Sequence, residues 1–166
     1  IMDFGALQCT PAQPRCGDCP LAGRCLALAA GTVGVRPVKQ GRAKVRDRWF
    51  NYLHVTCGGQ TLLHRRGGGD IWQGLYEFPL IETDKAADFA ELAATAAFRE
   101  LLGNGRWHLR RSVTMPGHQL SHQLLHAVFH RIECDAMPAF PSVETAALGG
   151  YALPRLIDRY LTKYQM

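Results

Sequence analysis

Four of the six cysteines lie within seventeen residues, at spacings suited to metal or cluster ligation. The pattern is C-x6-C-x2-C-x5-C, formed by Cys9, Cys16, Cys19 and Cys25. Interspersed prolines and glycines can bend such a loop around one centre, and four thiolates from a short loop are the usual ligands of an iron–sulfur cluster. A structural zinc ion is an alternative, although it usually takes two C-x2-C knuckles and this loop has one. A disulfide knot would require export, which nothing in the sequence indicates.

The cysteine loop resembles that of the endonuclease III superfamily of DNA glycosylases, where it closes the C-terminal end of a helical catalytic domain. The residues MDFGALQC, which end at Cys9, look like that superfamily's last helix and first ligand. The resemblance implies a [4Fe–4S] cluster on the four clustered cysteines. Arg15 and Arg24 would then offset the cluster's negative charge or reach DNA phosphates, unless they are solvated loop residues. Cys57 and Cys134 lie in strand-like segments and are predicted to be small apolar residues, not ligands.

The composition indicates a globular chain with one concentrated patch of positive charge. Of the 166 residues 47% are hydrophobic, which excludes a largely disordered chain. No apolar run reaches the roughly 18 residues of a membrane span, and no secretory signal precedes the cysteines. The net charge is +5, and residues 33–48 alone carry six basic side chains against one acidic one. We expect this segment to be a solvated linker or to bind a polyanion. Its DNA-contact candidates are Arg36, Lys39, Arg42 and Lys44.

Hydrophobic periodicity predicts the elements that position these residues. Strands are predicted at 49–57, 60–66, 75–81, 107–115 and 124–133. Helices are predicted at 26–30, 85–102 and 153–164. A Gly-Gly pair at 58–59 indicates a hairpin turn between the first two strands. Strands and helices in this order indicate an α+β domain.

The middle of this domain resembles a Nudix fold with a damaged signature. The residues GGGDIWQGLYEFPL and AFRELLG carry the resemblance. A working signature holds divalent metals through several adjacent glutamates, and these metals activate water on a diphosphate. Here Arg99 and Glu100 remain, while Leu101 and Leu102 stand where further carboxylates are needed. The resemblance implies a Nudix-like mixed sheet with flanking helices. We expect no hydrolysis, although a Nudix hydrolase of nucleoside triphosphates is kept as an alternative.

The combination of an iron–sulfur loop, a basic linker and a degenerate Nudix-like domain resembles the C-terminal part of the MutY-type adenine DNA glycosylases. The segments WFNYLHV, IWQGLYEFP, HQLSHQLLHAVF and ALPRLIDRYL look like landmarks of that family. The resemblance implies base-excision repair, in which adenine mispaired with 8-oxoguanine is removed from double-stranded DNA. It also implies that the catalytic helical domain precedes residue 1, so that this stretch supplies no catalytic residue. A non-enzymatic iron–sulfur DNA-binding module is the other alternative.

We therefore expect three regions. Residues 1–30 would end a mostly missing all-α domain with the cluster loop, 31–47 would form the basic linker, and 48–166 the Nudix-like lesion-recognition domain. The family resemblance implies a monomer that binds no membrane and acts in the cytoplasm, at the bacterial nucleoid.

A histidine- and serine-containing turn before the last predicted strand is the candidate base-reading element. In the family this loop carries an aromatic residue, a serine and a histidine in succession, and here Leu120, Ser121 and His122 occupy these places. An apolar Leu120 can still act as a wedge at a base step. The hydroxyl of Ser121 both donates and accepts, so it can match the N7–H and O8 groups that distinguish 8-oxoguanine from guanine.

Histidines also follow this turn, and a metal site is the alternative role for them. His126 and His130 would share a strand face with His122, in positions that we expect to be partly exposed. Residues four apart on a strand lie about 13 Å from each other, too far to share one ion. We therefore do not expect a histidine metal site.

Overall fold

The computed structural model describes residues 2–36, 38, 44–103 and 105–164. The chain divides into two compact units, Ile1–Ala43 and Lys44–Met166. The first contains helices α1 (Met2–Gln8) and α2 (Leu26–Ala29), with 3-10 turns at Ala22–Arg24 and Val33–Val35. All described side chains of the first unit are exposed or half-buried, so the described part of this unit has no apolar core. None of the described helices is long and apolar enough to cross a membrane.

The second unit is built on a mixed seven-stranded sheet. Its strands, together with those of a smaller sheet, are β1 (Arg46–Cys57), β2 (Gln60–Leu62), β3 (His64–Arg65), β4 (Tyr76–Glu77), β5 (Leu80–Thr83), β6 (Trp107–Thr114), β7 (His118–Gln119), β8 (Gln123–Cys134) and β9 (Ser142–Glu144). The order is β6-β8-β1-β2-β9, with β5 also paired to β1 and β7 to β8, while β3 and β4 form the two-stranded sheet. The helices are α3 (Phe89–Ala93), α4 (Ala96–Leu102) and α5 (Arg155–Tyr164), and a 3-10 turn spans Thr145–Gly150.

The long strands β1 and β8 run parallel at the centre and carry the core on both faces. On one face Phe50, Tyr52 and Phe129 pack beneath α5. On the other face Leu53 and Ile132 pack against α4. Alternate residues point to opposite sides of a strand, so an almost continuous apolar run in β1 serves both cores. Full burial of each large apolar side chain contributes about 1.5–3 kcal/mol. The predicted mixed sheet with flanking helices is confirmed.

Three predicted elements are each divided in two in the structure, and side-chain caps account for the division of the helix. The helix predicted at 85–102 is two helices, since Thr95 caps α4 by accepting the Phe98 amide at 3.2 Å. Its start moves to Phe89, because Asp88 and Glu91 form a capping box. The strand predicted at 60–66 divides into β2 and β3, and that at 75–81 into β4 and β5. The short strands β7 and β9 were not predicted.

Each face of the sheet buries a histidine in its neutral form. His54 stacks on Phe78 at 4.5 Å, and its Nδ1 lies 2.9 Å from the hydroxyl of Tyr160. His130 lies 2.8 Å through Nδ1 from the hydroxyl of Ser112. Burial lowers the pKa of both imidazoles to about 4. The prediction that His130 lies on a partly exposed face is therefore wrong, because its side of β8 is covered by Phe89.

We expect these two histidines to make the fold acid-sensitive. A histidine whose pKa falls from about 6.5 to about 4 on folding stabilises the native state above pH 6.5, and this stability is lost as the pH falls toward 4. Protonation of each histidine in the unfolded state would lower the free energy of unfolding by about 2 kcal/mol at pH 5, relative to pH 7.5. Urea denaturation at pH 7.5 and pH 5 should show this loss, and His130→Asn should remove about half of it. The exposed His108, changed to asparagine, should leave the pH dependence intact; equal effects of the two variants would contradict the assignment.

Candidate functional site

The four clustered cysteines meet at one small pocket of the first unit. Cys9, Cys16, Cys19 and Cys25 all line it, together with the apolar side chain of Leu28. The loop turns tightly between them, with the Cys19 amide donating to the Cys16 carbonyl at 3.3 Å and the Cys25 amide donating to the Ala22 carbonyl at 3.2 Å. The four cysteines that the sequence singles out by their spacing thus line one common pocket.

Among the described residues, the cysteine pocket contains no preformed site for a single metal ion. Within the described residues, no group of three or more histidine, cysteine or acidic side chains is gathered closely enough to ligate one metal ion. Arg15 also lines the pocket, while Arg24 lies in the adjoining 3-10 turn and does not. Cys57 and Cys134 lie at strand ends of the second unit and pack against its core.

The predicted base-reading residues form a tight turn between β7 and β8. The Leu120 amide donates to the Gln123 carbonyl at 2.8 Å, which closes the turn. Ser121 and His122 are exposed at its tip. Neither side chain makes a hydrogen bond to any residue that the structure describes, so both present their polar atoms outward. Leu120 instead packs against the core beneath α5, where it anchors the turn.

Two further contacts fix the base of the turn. The amide of Arg46, at the start of β1, donates to the His122 carbonyl at 3.0 Å. The ring of His118 packs against Trp72 with 5.9 Å between centroids. The base of the turn is thus held by a backbone hydrogen bond and a ring contact, while its polar tip is exposed.

A charge network centred on the buried Arg48 lies beside the same turn and was not predicted from the sequence. The guanidinium of Arg48 donates to both oxygens of Glu82 at 2.6 Å and to both oxygens of Asp70 at 2.7 Å. It also donates to the amide oxygen of Gln123, next to His122, at 3.0 Å. The hydrogen bonds to Glu82 raise the pKa of Arg48 above its ordinary range, and the hydrogen bond from Arg48 lowers that of Asp70 below its own. Both shifts favour the charged forms of Arg48 and Asp70 in the folded protein.

A second arginine extends this network into the sheet. Arg66 donates to both oxygens of Glu77 at 2.7 Å and to Asp70 at 2.5 Å. The Tyr52 hydroxyl donates to Glu77 at 3.3 Å, and burial raises the pKa of that hydroxyl above its ordinary range. These contacts connect β1, β4 and β5 with the glycine-rich loop, which spans residues 66–75 between β3 and β4. The sequence indicates this charge network only weakly, through basic and acidic residues in and around the predicted strands. Which of these residues pair is determined by the tertiary structure.

The glycine-rich loop holds one strained residue beside the turn. Trp72 has a φ of 61°, which is uncommon for a residue with a side chain. Such a conformation costs of the order of 1–3 kcal/mol and persists where the surroundings impose it. Trp72 packs on Phe50 as well as on His118, so this loop is fitted to the base of the turn.

The predicted basic segment is shorter than the sequence suggests. Arg48 is 7% exposed and neutralised by two carboxylates, so it cannot serve a polyanion. Arg46 is already in β1, inside the predicted linker. Arg36 and Lys44 are exposed. Lys39 and Arg42 lie outside the described residues.

The remnant of the Nudix signature lies on α4. Arg99 and Glu100 are exposed, and Leu102 is buried in the second core. Leu101 packs against that core as well. The two leucines thus take a packing role at positions where a Nudix hydrolase needs carboxylates.

The sequence is similar to one domain family and to adenine DNA glycosylases. The family model described as NUDIX domain matches residues 51–163, more than half of the chain. Over 83 residues the chain is 30% identical to an adenine DNA glycosylase of Buchnera aphidicola subsp. Schizaphis graminum. Over 104 residues it is 30% identical to an adenine DNA glycosylase of Arabidopsis thaliana. These matches cover 50% and 54% of this chain but 24% and 16% of the two relatives, so the chain spans at most a quarter of their length.

Solved structures share the fold at low identity. The C-terminal domain of mouse MUTYH, in complex with human PCNA, has a TM-score of 0.55 at 16% identity, over 72% of this chain and 88% of that one. The E. coli ORF135 protein gives 0.54 at 16% identity, over 73% and 90%. The M. smegmatis Nudix hydrolase RenU gives 0.52 at 13% identity, over 76% and 86%. At these identities the likeness concerns the fold alone, and it confirms the predicted Nudix-like architecture.

Proposed function

The chain belongs to the NUDIX domain family, and we propose that it is the lesion-reading C-terminal part of an adenine DNA glycosylase. The observation that carries this proposal is the turn at Leu120, Ser121 and His122. Leu120 packs against the core, while the polar side chains at the tip of the turn are exposed. The sequence similarity to two adenine DNA glycosylases supports it. On this proposal the chain binds double-stranded DNA that contains 8-oxoguanine opposite adenine, and the glycosidic bond is cleaved by residues outside this stretch.

The chemistry of the turn suits the edge of 8-oxoguanine. Guanine presents an acceptor at N7, whereas 8-oxoguanine presents an N7–H donor beside the O8 acceptor. The hydroxyl of Ser121 can accept from N7–H or donate to O8, and the imidazole of His122 can add a bond to a neighbouring group or phosphate. Because the tip is not engaged by the rest of the described chain, no internal bond has to break on binding. Leu120 contributes by fixing the turn through its core contacts.

A double substitution tests this proposal. Ser121→Ala with His122→Ala should remove most of the preference of the chain for an 8-oxoguanine:adenine duplex over the guanine:adenine duplex of the same sequence. A good base-edge contact is worth about 1–3 kcal/mol, so the preference should fall roughly ten- to hundredfold. Fluorescence anisotropy with both duplexes measures it. Binding of the guanine:adenine duplex should change little.

A matched pair of the same residue types serves as the control. Ser142→Ala with His108→Ala alters an exposed serine and an exposed histidine on strands β9 and β6, away from the turn. This pair should retain the full preference. A turn variant that also retains it would refute the assignment of base reading to this turn.

We further propose that the cysteine pocket holds a [4Fe–4S] cluster. Cys9, Cys16, Cys19 and Cys25 would be its thiolate ligands, and Arg15 at the pocket wall would offset its charge. When bound, the cluster supplies the fixed centre that the first unit otherwise lacks, since no described residue there is buried. The exposed Arg36 and Lys44, and with them Lys39 and Arg42, would add sequence-independent affinity for DNA phosphates.

Nucleotide hydrolysis is the weaker candidate for this fold. Hydrolysis in the Nudix manner requires metal ions held by several carboxylates. On α4, Glu100 is followed by two leucines that face the core, so one carboxylate stands where a metal cage needs more. The arrangement therefore favours a domain that recognises a base over one that cleaves a diphosphate.

A further inference from the structure

A cavity of about 340 Å³ lies between the β6–β7 connection and helix α5, beside the base-reading turn. Its floor is apolar and includes Met115, Pro116 and Leu156. Its rim is basic and includes Arg155, Arg159 and Lys163, which recur every fourth residue of α5. Positions four apart lie on one side of a helix, so the three cations form a stripe along one edge of the buried face of α5.

Two of these cations remain unneutralised by the described chain. Arg155 pairs with Asp158, the acidic residue of the rim. Arg159 and Lys163 are exposed and form no ion pair with any acidic residue that the structure describes. Arg111, from β6, reaches the same end of α5 and donates to the Tyr164 carbonyl at 3.0 Å. Positive charge therefore exceeds negative charge around the cavity.

The cavity and the base-reading turn share one short strand. His118 lines the cavity and begins β7, and Ser121 follows three residues later. At about 3.3 Å per residue, the two positions lie within about 10 Å of each other. Successive phosphates of one strand rise about 3.4 Å along the duplex axis. A base read by Ser121 would thus bring phosphates within about three nucleotides of it to the rim.

We propose that this cavity is a phosphate-binding surface for duplex DNA that flanks the lesion, with Arg159 and Lys163 as its contacts. The inference rests on the proposed function, because it is the base-reading role of the turn that brings DNA here. The apolar floor would pack against a deoxyribose, and the two cations would bind neighbouring phosphates. Such contacts fix the register of the protein on the duplex without reading its sequence.

The salt dependence of DNA binding by the full 166-residue chain tests the inference. Each phosphate contact adds about 0.9 to the slope of log affinity against log salt concentration, so Arg159→Gln with Lys163→Gln should lower the slope by about 1.8. The affinities for 8-oxoguanine:adenine and guanine:adenine duplexes should fall by the same factor, which leaves their ratio unchanged. Arg99→Gln with Arg106→Gln removes the same charge from residues that do not line the cavity, and should leave the slope unchanged. Both pairs lie at exposed positions, and equal thermal midpoints would show that folding is intact.

The outcomes separate this inference from the proposed function. An unchanged slope in the α5 variant, or an equal drop in both variants, would overturn the phosphate surface. So would a glutamate-rich peptide that binds more tightly than the duplex and competes with it, since the stripe would then serve an acidic protein segment. The α5 variant could lower the salt-dependence slope by about 1.8 while the unaltered chain shows no preference for the lesion duplex. That result would support the phosphate surface and overturn the base-reading role of the turn.

Discussion

Replacement of Arg48 by methionine is expected to destabilise the second unit by about 3 kcal/mol. Removing one partner from a buried ion network leaves the other charges unpaired, which costs about 3–5 kcal/mol. The loss is expected at the lower end of this range, because Asp70 and Glu82 are each 34% exposed and Asp70 stays paired with Arg66, although the side chain of Arg48 is only 8% exposed. Urea denaturation followed by tryptophan fluorescence measures the change, since all three tryptophans belong to this unit.

An exposed ion pair provides the matched control for Arg48. Arg110 pairs with Glu133, and their side chains are 59% and 51% exposed. Arg110→Met should therefore lower stability by less than about 1 kcal/mol. Arg48→Lys should not restore the network, because an ammonium group cannot donate to two carboxylates in the paired geometry of a guanidinium. Equal losses for Arg48→Met and Arg110→Met would show that the network does not stabilise the fold.

Loss of one clustered cysteine is expected to abolish cluster binding. In protein purified without oxygen, the unaltered chain should hold about four irons, and Cys16→Ser less than about a tenth of that amount. The first unit has no buried side chain among its described residues, so its loop should also become far more sensitive to protease without the cluster. Iron analysis, visible absorption and limited proteolysis provide three readouts independent of enzymatic activity.

Cys57→Ser is the control for this experiment. Cys57 lies at the end of β1, in the other unit, and packs against the second core. Its substitution should leave the iron content unchanged. If the two variants lost iron equally, or if the unaltered chain bound one zinc ion and no iron, the cluster assignment would be wrong.

The sequence predicts the central elements of this fold well because their patterns are local. The almost unbroken apolar run of β1 and the amphipathic pattern of α5 each follow from burial of defined faces. Boundaries set by side-chain caps are harder to predict, as the division at Thr95 shows. The two-residue strand β7 carries too little pattern to be recognised, and its pairing with β8 is fixed only by the folded register.

In the candidate site, too, some residues can be predicted from the sequence and others depend on the tertiary structure. The shared pocket of the four cysteines is predicted by their spacing, whereas Ser121 and His122 are singled out only by the resemblance to a known family. Arg48 could not be assigned, because a basic residue at the end of a basic run resembles its solvated neighbours. Its burial depends on Asp70, Glu82 and Gln123, which are 22, 34 and 75 residues away along the chain. The structural role of the network becomes visible only when these segments are placed together.

Amide chemical-shift mapping of the isotope-labelled chain tests the central claim most directly. The chain is titrated with an 8-oxoguanine:adenine duplex and, separately, with the guanine:adenine duplex of the same sequence. The difference between the two titrations should be largest at the amides of Leu120, Ser121 and His122, while shifts along α5 should be common to both. Differences concentrated on α4 around Glu100, or no lesion-dependent difference at the turn, would contradict the proposal that this chain reads 8-oxoguanine through Ser121 and His122.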